Sequence, residues 1–271
     1  MRGQQVTLTF LSDNNPHIPG LETEWGLSVF IEHSSGNWLW DTGQSGLFIK
    51  NAKSLGLDLS NLNGVLISHG HYDHGGGLSA MRYDCNYEGP VYGHTDIQRE
   101  RWHVDEQTTE NIGIPGLIRN FKSLKDGAEL APTMNFYTDI NRRPDNHIHT
   151  KNFFFDKEAT QADPVIDDSF LLFDTPSGYV VLLGCCHSGL ANSLEHIETV
   201  HGISKIHAVI GGLHLYNSAE DAVEEAATAV EKFQVEELYP CHCTGDAATQ
   251  MLIRRLDCKV KAPGVGMKMI F

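Results

Sequence analysis

Four side chains able to hold a borderline metal ion, His69, His71, Asp73 and His74, fall within six consecutive residues of SHGHYDHGGG, 68–77. The stretch before them, NGVLISH, 63–69, is a short apolar run bounded by turn residues, the pattern of a buried strand. Such a strand delivers His69 at its C-terminal end. In extended backbone His71, two positions on, projects to the same side. The chain then turns toward a helix, with Asp73 and His74 in the turn and Gly75–Gly77 relieving its steric strain. Three imidazoles and a carboxylate suit zinc, iron or manganese. A merely polar, histidine-rich loop is the alternative, and an ordered ligand set directly after a buried strand argues against it.

The rest of the chain reads as alternating elements. Residues 5–12, 25–33 and 37–41 read as strands and 46–56 as a helix ending on Gly56. GLSAMR opens a helix, GPVYG is a strand, and TDIQRERW has helical spacing. Residues 103–165 are irregular, with IPG, KDG and RRPDN, and predict an insertion of hairpins or short helices within one domain spanning 1–271. Residues 169–184 predict two strands about a turn at Pro176–Gly178. Helix 189–201, strand 206–211, helix 218–233, strand 236–240, helix 245–256 and a last strand, 258–270, follow. Each half starts with adjacent strands and ends in alternating helices and strands, which predicts an α/β fold of two mixed sheets with helices outside.

Composition narrows the partners. The chain has 35 acidic against 20 basic residues, a formal charge of −15, and no Lys/Arg stripe, so nucleic acid is not an expected partner. No run approaches the roughly 20 apolar residues that cross a bilayer, which leaves no expected membrane partner. The N-terminal stretch lacks the apolar core of a secretory signal, so the expected location is cytoplasmic. Six cysteines, two of them adjacent (Cys185 and Cys186), suit reduced thiols better than a disulfide framework.

Further candidates stand at strand ends. His214 in IGGLHL follows glycines and is a candidate ligand, proton donor or substrate contact; His94 in VYGHTD is a weaker one. In PCHCTG, extended backbone would turn Cys241 and Cys243 away from His242. Asp167 and Asp168 precede a strand. They read either as a solvated turn or as carboxylates at the mouth of a site.

Taken in order, LSVFIEHSSGNWLWDTGQSGLF, SHGHYDHGGGL, DDSFLLF, GYVVLLGCCHSGLAN, AVIGGLHL and YPCHCTG resemble one branch of the metallo-β-lactamase superfamily, whose signature is His-x-His-x-Asp-His. The branch is often labelled metal-dependent hydrolases of β-lactamase superfamily II. It includes archaeal dihydropterin–ribofuranosylaminobenzene phosphate synthases of pterin-cofactor biosynthesis. The resemblance spans nearly the whole chain and is weakest over 103–165. It implies a four-layer αββα sandwich with a dinuclear site at one edge of the sheets. It also implies that His69 and His71 hold one metal and Asp73 and His74 the other, with Asp41 behind them orienting an imidazole. His187 and the late His242 are the further ligands it implies. Where many members carry Gly-Asp, with the Asp bridging the metals, this chain has Gly184–Cys185, and Cys185 is either a core thiol or a metal contact.

The expected cofactors are two divalent transition-metal ions, zinc first, iron or manganese next. The expected activity is hydrolysis of an ester, phosphoester or related bond by metal-activated water, with Asp73 orienting the water and His214 or His187 protonating the leaving group. The missing bridge carboxylate leaves positive charge, so an anionic small molecule is the expected substrate. A transferase that releases pyrophosphate, and a non-catalytic metal-binding protein, are the alternatives. Oligomeric state is not legible.

Overall fold

The computed structural model describes residues 3–271. Its strands, in chain order, are β1 (Val6–Ser12), β2 (Ser28–His33), β3 (Gly36–Trp40), β4 (Gly64–Leu66), β5 (Val91–Gly93), β6 (Trp102–Val104), β7 (Thr109–Asn111), β8 (Phe121–Ser123), β9 (Ala128–Ala131), β10 (Met134–Tyr137), β11 (Phe153–Phe154), β12 (Phe170–Thr175), β13 (Gly178–Leu183), β14 (Ala208–Gly212), β15 (Glu237–Cys241), β16 (Lys259–Val260) and β17 (Lys268–Ile270). The helices are α1 (Leu47–Ser54), α2 (Tyr72–Gly75), α3 (Leu78–Asp84), α4 (Leu190–His201), α5 (Glu220–Lys232) and α6 (Asp246–Arg255).

Two mixed sheets face each other, one ordered β17-β1-β2-β3-β4-β5-β8 and the other β16-β15-β14-β13-β12-β10-β9. Alternation along the strands sorts side chains between layers. Leu8, Phe10, Val29, Trp40, Phe136, Phe173, Val180 and Ile210 fill the space between the sheets. Leu39, Val65 and Ile67 point outward and pack on Phe48 of α1 and Met81 of α3. On the opposite outer face Val181, Val209 and Leu238 meet Leu194, Val223 and Leu252, one from each of α4, α5 and α6. The result is the αββα sandwich. In α5 the apolar positions Ala222, Val223, Ala226, Ala227 and Val230 share one buried face, while Glu220 and Asp221 in the first turn and Lys232 in the last complement the helix dipole. No helix among the described residues is long and apolar enough to cross a membrane.

Three readings of the sequence change here. TDIQRERW is not a helix: a short 3₁₀ turn at Thr95–Gln98 gives way to β6, which pairs with β7 and β11 in a small third sheet. Strand pairing and burial of the Arg101 side chain override the helical spacing. The span 103–165 is only partly an insertion, because β8 closes one edge of the first sheet and β9 and β10 extend the second. The last strand is two: β16 pairs with β15, the chain crosses between layers at Pro263–Gly264, and β17 pairs with β1. Parallel pairing of β3 with β4 and of β13, β14 and β15 with one another aligns their C-terminal ends along one edge. The ligand candidates all emerge there.

Candidate metal centre

β4 ends just before Ser68 and His69, and His71 adopts extended backbone at the start of α2. His69 Nε2 stands 3.0 Å from His71 Nδ1 and 3.2 Å from Nε2 of His187, which follows β13. Donors around a tetrahedral zinc at its usual bond length of about 2.0–2.1 Å stand about 3.3 Å apart, so the three nitrogens are spaced to share one ion. A second triad joins Asp73, His74 and His242, with Asp73 Oδ2 3.3 Å from His242 Nε2 and 3.8 Å from His74 Nε2. Cys185 Sγ lies 3.0 Å from His74 Nε2.

The outward nitrogens show how the inward ones are presented. His74 Nδ1 bonds Asp41 Oδ2 at 2.7 Å, and Asp41 is held in turn by the Ser68 backbone N–H and hydroxyl, both at 2.7 Å. His187 Nδ1 donates to the His149 carbonyl at 2.6 Å, and His242 Nδ1 donates to Asn14 Oδ1 at 3.1 Å. The bonds at His74 and His187 leave Nε2 unprotonated and facing inward, as a ligating imidazole requires; at His242 the bond aims Nε2 inward, where a metal would displace its proton. His242 Nε2 is buried and faces Asp73 Oδ2 at 3.3 Å, the spacing of two donors to one ion. The donor set therefore fits two transition-metal ions. The outward His71 Nε2 lacks a protein partner.

Electrostatics differ between the triads. Burial, reinforced by neighbouring histidines, pushes His69 and His187 well below the ordinary imidazole range; burial and the Arg101 charge do the same to His71. All three are neutral, with lone pairs free. At the second triad burial opposes ionisation of Asp73, yet His74 and His242 hold its carboxyl well below the usual carboxylate range. Burial would likewise lower His242, but the charges of Cys243 and Asp73 raise it to about 9. That corner favours positive charge. Asp41, Cys186, His214 and His242 all have left-handed backbone, with φ of 58°, 59°, 49° and 47°. Such conformations are strained for residues with a Cβ and collect at functional sites.

The structure brings His69, His71, Asp73, His74, His187 and His242 together, with Asp41 behind His74 and Cys185 against it. The His214 ring stands 4.4 Å from that of His187 and stacks on His149 at 5.6 Å. His94 is apart from this cluster: its Nδ1 accepts from the Asp96 backbone and its Nε2 faces Asp139 at 3.4 Å, so it caps a turn. The extended backbone expected at PCHCTG also fails. The left-handed turn at His242 opens a 3₁₀ segment that brings Cys243 back toward Cys185, while Cys241 packs between the sheets.

Asp167 and Asp168 do not form a solvated turn. Both are buried. Asp167 Oδ2 accepts from the Gly70 backbone N–H at 2.7 Å, and Asp168 Oδ2 accepts from the Ser188 N–H at 2.7 Å. Each carboxylate thus fixes backbone beside a ligand histidine. Arg101, also buried, pairs with Asp167 at 2.8 Å and with Asp163. A Cβ on Gly70 would lie 2.6 Å from Arg101 Nε, so this close approach needs glycine. Sequence reading assigned nothing to Arg101, His149, Asn14, Trp25 or Phe153. Trp25 Nε1 donates to Asp73 Oδ2 at 3.0 Å, and the Phe153 ring packs 5.0 Å from His71 and 5.5 Å from His187. None of these residues belongs to a periodic pattern or a ligand spacing that could have found it.

Known proteins agree with this architecture. A family model described as the metallo-beta-lactamase superfamily matches residues 26–190. The chain is 26% identical over 254 residues to a 7,8-dihydropterin-6-methyl-4-(beta-D-ribofuranosyl)-aminobenzene-5'-phosphate synthase of Methanocaldococcus jannaschii, covering 85% of this chain and 84% of that protein. It is similar to the solved structure of Tm1679, described as a metal-dependent hydrolase of the beta-lactamase superfamily, with 30% identity, a TM-score of 0.84 and coverage of 97% and 98% of the two chains. The metallo-beta-lactamase fold protein YhfI of Bacillus subtilis shares the fold at 14% identity, with a TM-score of 0.59 and coverage of 99% and 100%.

Proposed function

Because this chain belongs to the metallo-β-lactamase superfamily, we propose that it is a dinuclear metal-dependent hydrolase, acting on a phosphoester or related bond of an anionic small molecule. The observation that carries the reading is the meeting of two complete triads, His69/His71/His187 and Asp73/His74/His242, at one sheet edge. Bound divalent ions supply Lewis acidity, bringing the pKa of water toward about 7 and offsetting charge on a leaving group.

The chain's own groups do the rest. Asp73, held by Trp25, keeps a carboxylate in the second triad to orient water. Asp41 and Ser68 fix the His74 tautomer. Phe153 covers the first triad and keeps bulk water from its histidines. His187 has both nitrogens engaged, one by the His149 carbonyl and one in the triad, so it has no proton to give. His214 is pushed down to about 3, by burial first and by His149 second. It serves as a neutral hydrogen-bonding group toward substrate and holds no proton in reserve at neutral pH.

Two divalent ions bring +4; Asp73, and Cys185 if it is a thiolate, return −2, which leaves about +2. That excess supports an anionic substrate. Zinc is the first choice of metal, by the borderline donor set. A second reading, a synthase that forms a carbon–nitrogen bond and releases pyrophosphate, is supported by the 26% identity across 85% of the chain to the M. jannaschii synthase. The test is a panel of phosphoesters and phosphodiesters offered to zinc-loaded protein with no acceptor present. Turnover in water supports the hydrolase. Turnover only when an acceptor amine or carbon nucleophile accompanies a pyrophosphorylated substrate supports the synthase. Bound metal with no turnover on either arm overturns both and leaves a metal-binding protein.

A further inference from the structure

Of the buried thiols at this edge, Cys185 entered the reading above only through its charge, and Cys243 not at all. Cys185 follows Gly184 at the end of β13, and its Sγ lies 3.0 Å from His74 Nε2. That sulfur belongs to two groups of potential donors at once. One is His69, His74 and Cys185; the other is Cys185, His242 and Cys243, and within each the donor atoms lie within 4.8 Å of one another. His69 is in the first metal triad and His74 and His242 in the second, so the Cys185 sulfur faces both metal positions. Cys243 sits directly behind it. Its Sγ accepts from the His214 backbone N–H at 3.3 Å and lies 3.6 Å from the Cys185 carbonyl oxygen. Gly212 leaves it room, since a Cβ there would lie 2.5 Å from that sulfur. Among the described residues, the donor groups of these clusters contain one carboxylate, Asp73, and the two thiols as their only anionic ligands.

We propose that Cys185 is a sulfur ligand shared between the two metal positions, backed by Cys243, and that this pair makes the centre select thiophilic ions such as zinc over manganese. The inference rests on the dinuclear reading of the site. Two divalent ions side by side with one carboxylate among their donors would repel strongly in a buried setting, and a thiolate facing both would offset that repulsion. Metal binding expels the Cys185 proton to solvent and forms the metal–sulfur bonds, with no change in oxidation state. Sulfur ligands favour zinc and disfavour ions that prefer oxygen shells. Cys243 shares a donor group with Cys185 and gives its S–H to the Cys185 carbonyl, which fixes the backbone that carries the ligand sulfur.

The test uses the full chain loaded with cobalt(II) alone, read by absorption and by elemental analysis. Expected is a thiolate-to-cobalt charge-transfer band in the parent. It should be lost in Cys185→Ser and kept, but shifted, in Cys243→Ser. The zinc-over-manganese preference should drop by about tenfold in Cys185→Ser. If Cys185→Ser does not fold, X-ray absorption at the zinc edge of the unaltered protein decides, with sulfur expected at about 2.3 Å from zinc. Full metal content without the band, or without a sulfur shell, overturns the inference and leaves the dinuclear reading standing. A band that survives in Cys185→Ser also overturns it. Failure of the parent to bind any transition metal overturns the dinuclear reading and the inference together.

Discussion

The Asp167 carboxylate accepts a hydrogen bond from the Gly70 backbone N–H at 2.7 Å, and Gly70 is the residue between His69 and His71. The same carboxylate pairs with the buried Arg101, at the start of the small third sheet. The Tyr72 N–H reaches the Ile112 carbonyl beyond β7 at 2.8 Å, so that sheet is hydrogen-bonded to the metal loop itself. A buried strut therefore sets the separation of two ligand histidines. Asp167→Ala leaves Arg101 short of a partner and frees Gly70. The expected cost is about 3 kcal/mol of stability, with weaker metal binding at the first triad. Asp167→Asn keeps an acceptor for Gly70 and should lose less metal. Denaturant unfolding together with metal titration against a chelator checks both, and equal metal affinity in all three proteins sinks the positioning role.

His71→Ala removes one nitrogen of the first triad and none of the second. Elemental analysis should fall from close to two ions per chain toward one, with loss of activity. Retention of two ions would mean that His71 Nδ1 faces His69 for some other reason.

The metal-free protein should be acid-labile in a specific window. His69, His71 and His187 are held well below the ordinary value of 6.5 when folded and return to it on unfolding. Below 6.5 the unfolded chain binds more protons, so stability falls as pH drops from 6.5 toward the depressed folded values. Each histidine contributes up to about 1.4 kcal/mol per pH unit there, and nothing above that window. Urea midpoints of the chelated protein at several pH values measure the slope. A flat profile between pH 7 and 5 contradicts burial of these rings as neutral imidazoles.

Inorganic phosphate should compete with substrate, because the two divalent ions proposed for the site would exceed its anionic ligands by about +2. Cys185→Ala removes a negative ligand and should strengthen that competition. Inhibition constants for phosphate in the two proteins give the answer, and no competition in either removes the case for an anionic substrate.

Phe153 reaches the first triad from β11 and packs on His71 and His187 without offering a donor. Phe153→Ala should leave metal content unchanged and raise KM more than it lowers kcat. Loss of metal instead would make Phe153 a support of the ligands and no part of the substrate pocket.

His69, His71, Asp73 and His74 were legible because local order alone sets their geometry: a buried strand, a two-residue period and a glycine-relieved turn follow one another over residues 63–77. The layer order was legible for a related reason, since each half opens on adjacent strands and ends in alternating helices and strands. Cys243 was misread because a single left-handed residue, His242, reverses the direction expected of extended backbone, and no pattern of residue types announces that turn. His94 was offered as a candidate on the same strand-end cue as His214, and only packing separates them.

By itself the sequence determined which strand carries the ligand loop, which residue types it presents and how many layers cover it, because these depend on periodicity and spacing along one stretch of chain. Only the tertiary structure decided that His187 and His242 meet His69 and Asp73, that Asp167 and Asp168 hold ligand backbone from inside, and that Cys185 faces both triads. Most of those relations join residues about 100 or more positions apart, up to 169 for Asp73 and His242, and they exist only where two separately wound sheets bring their strand ends to a common edge.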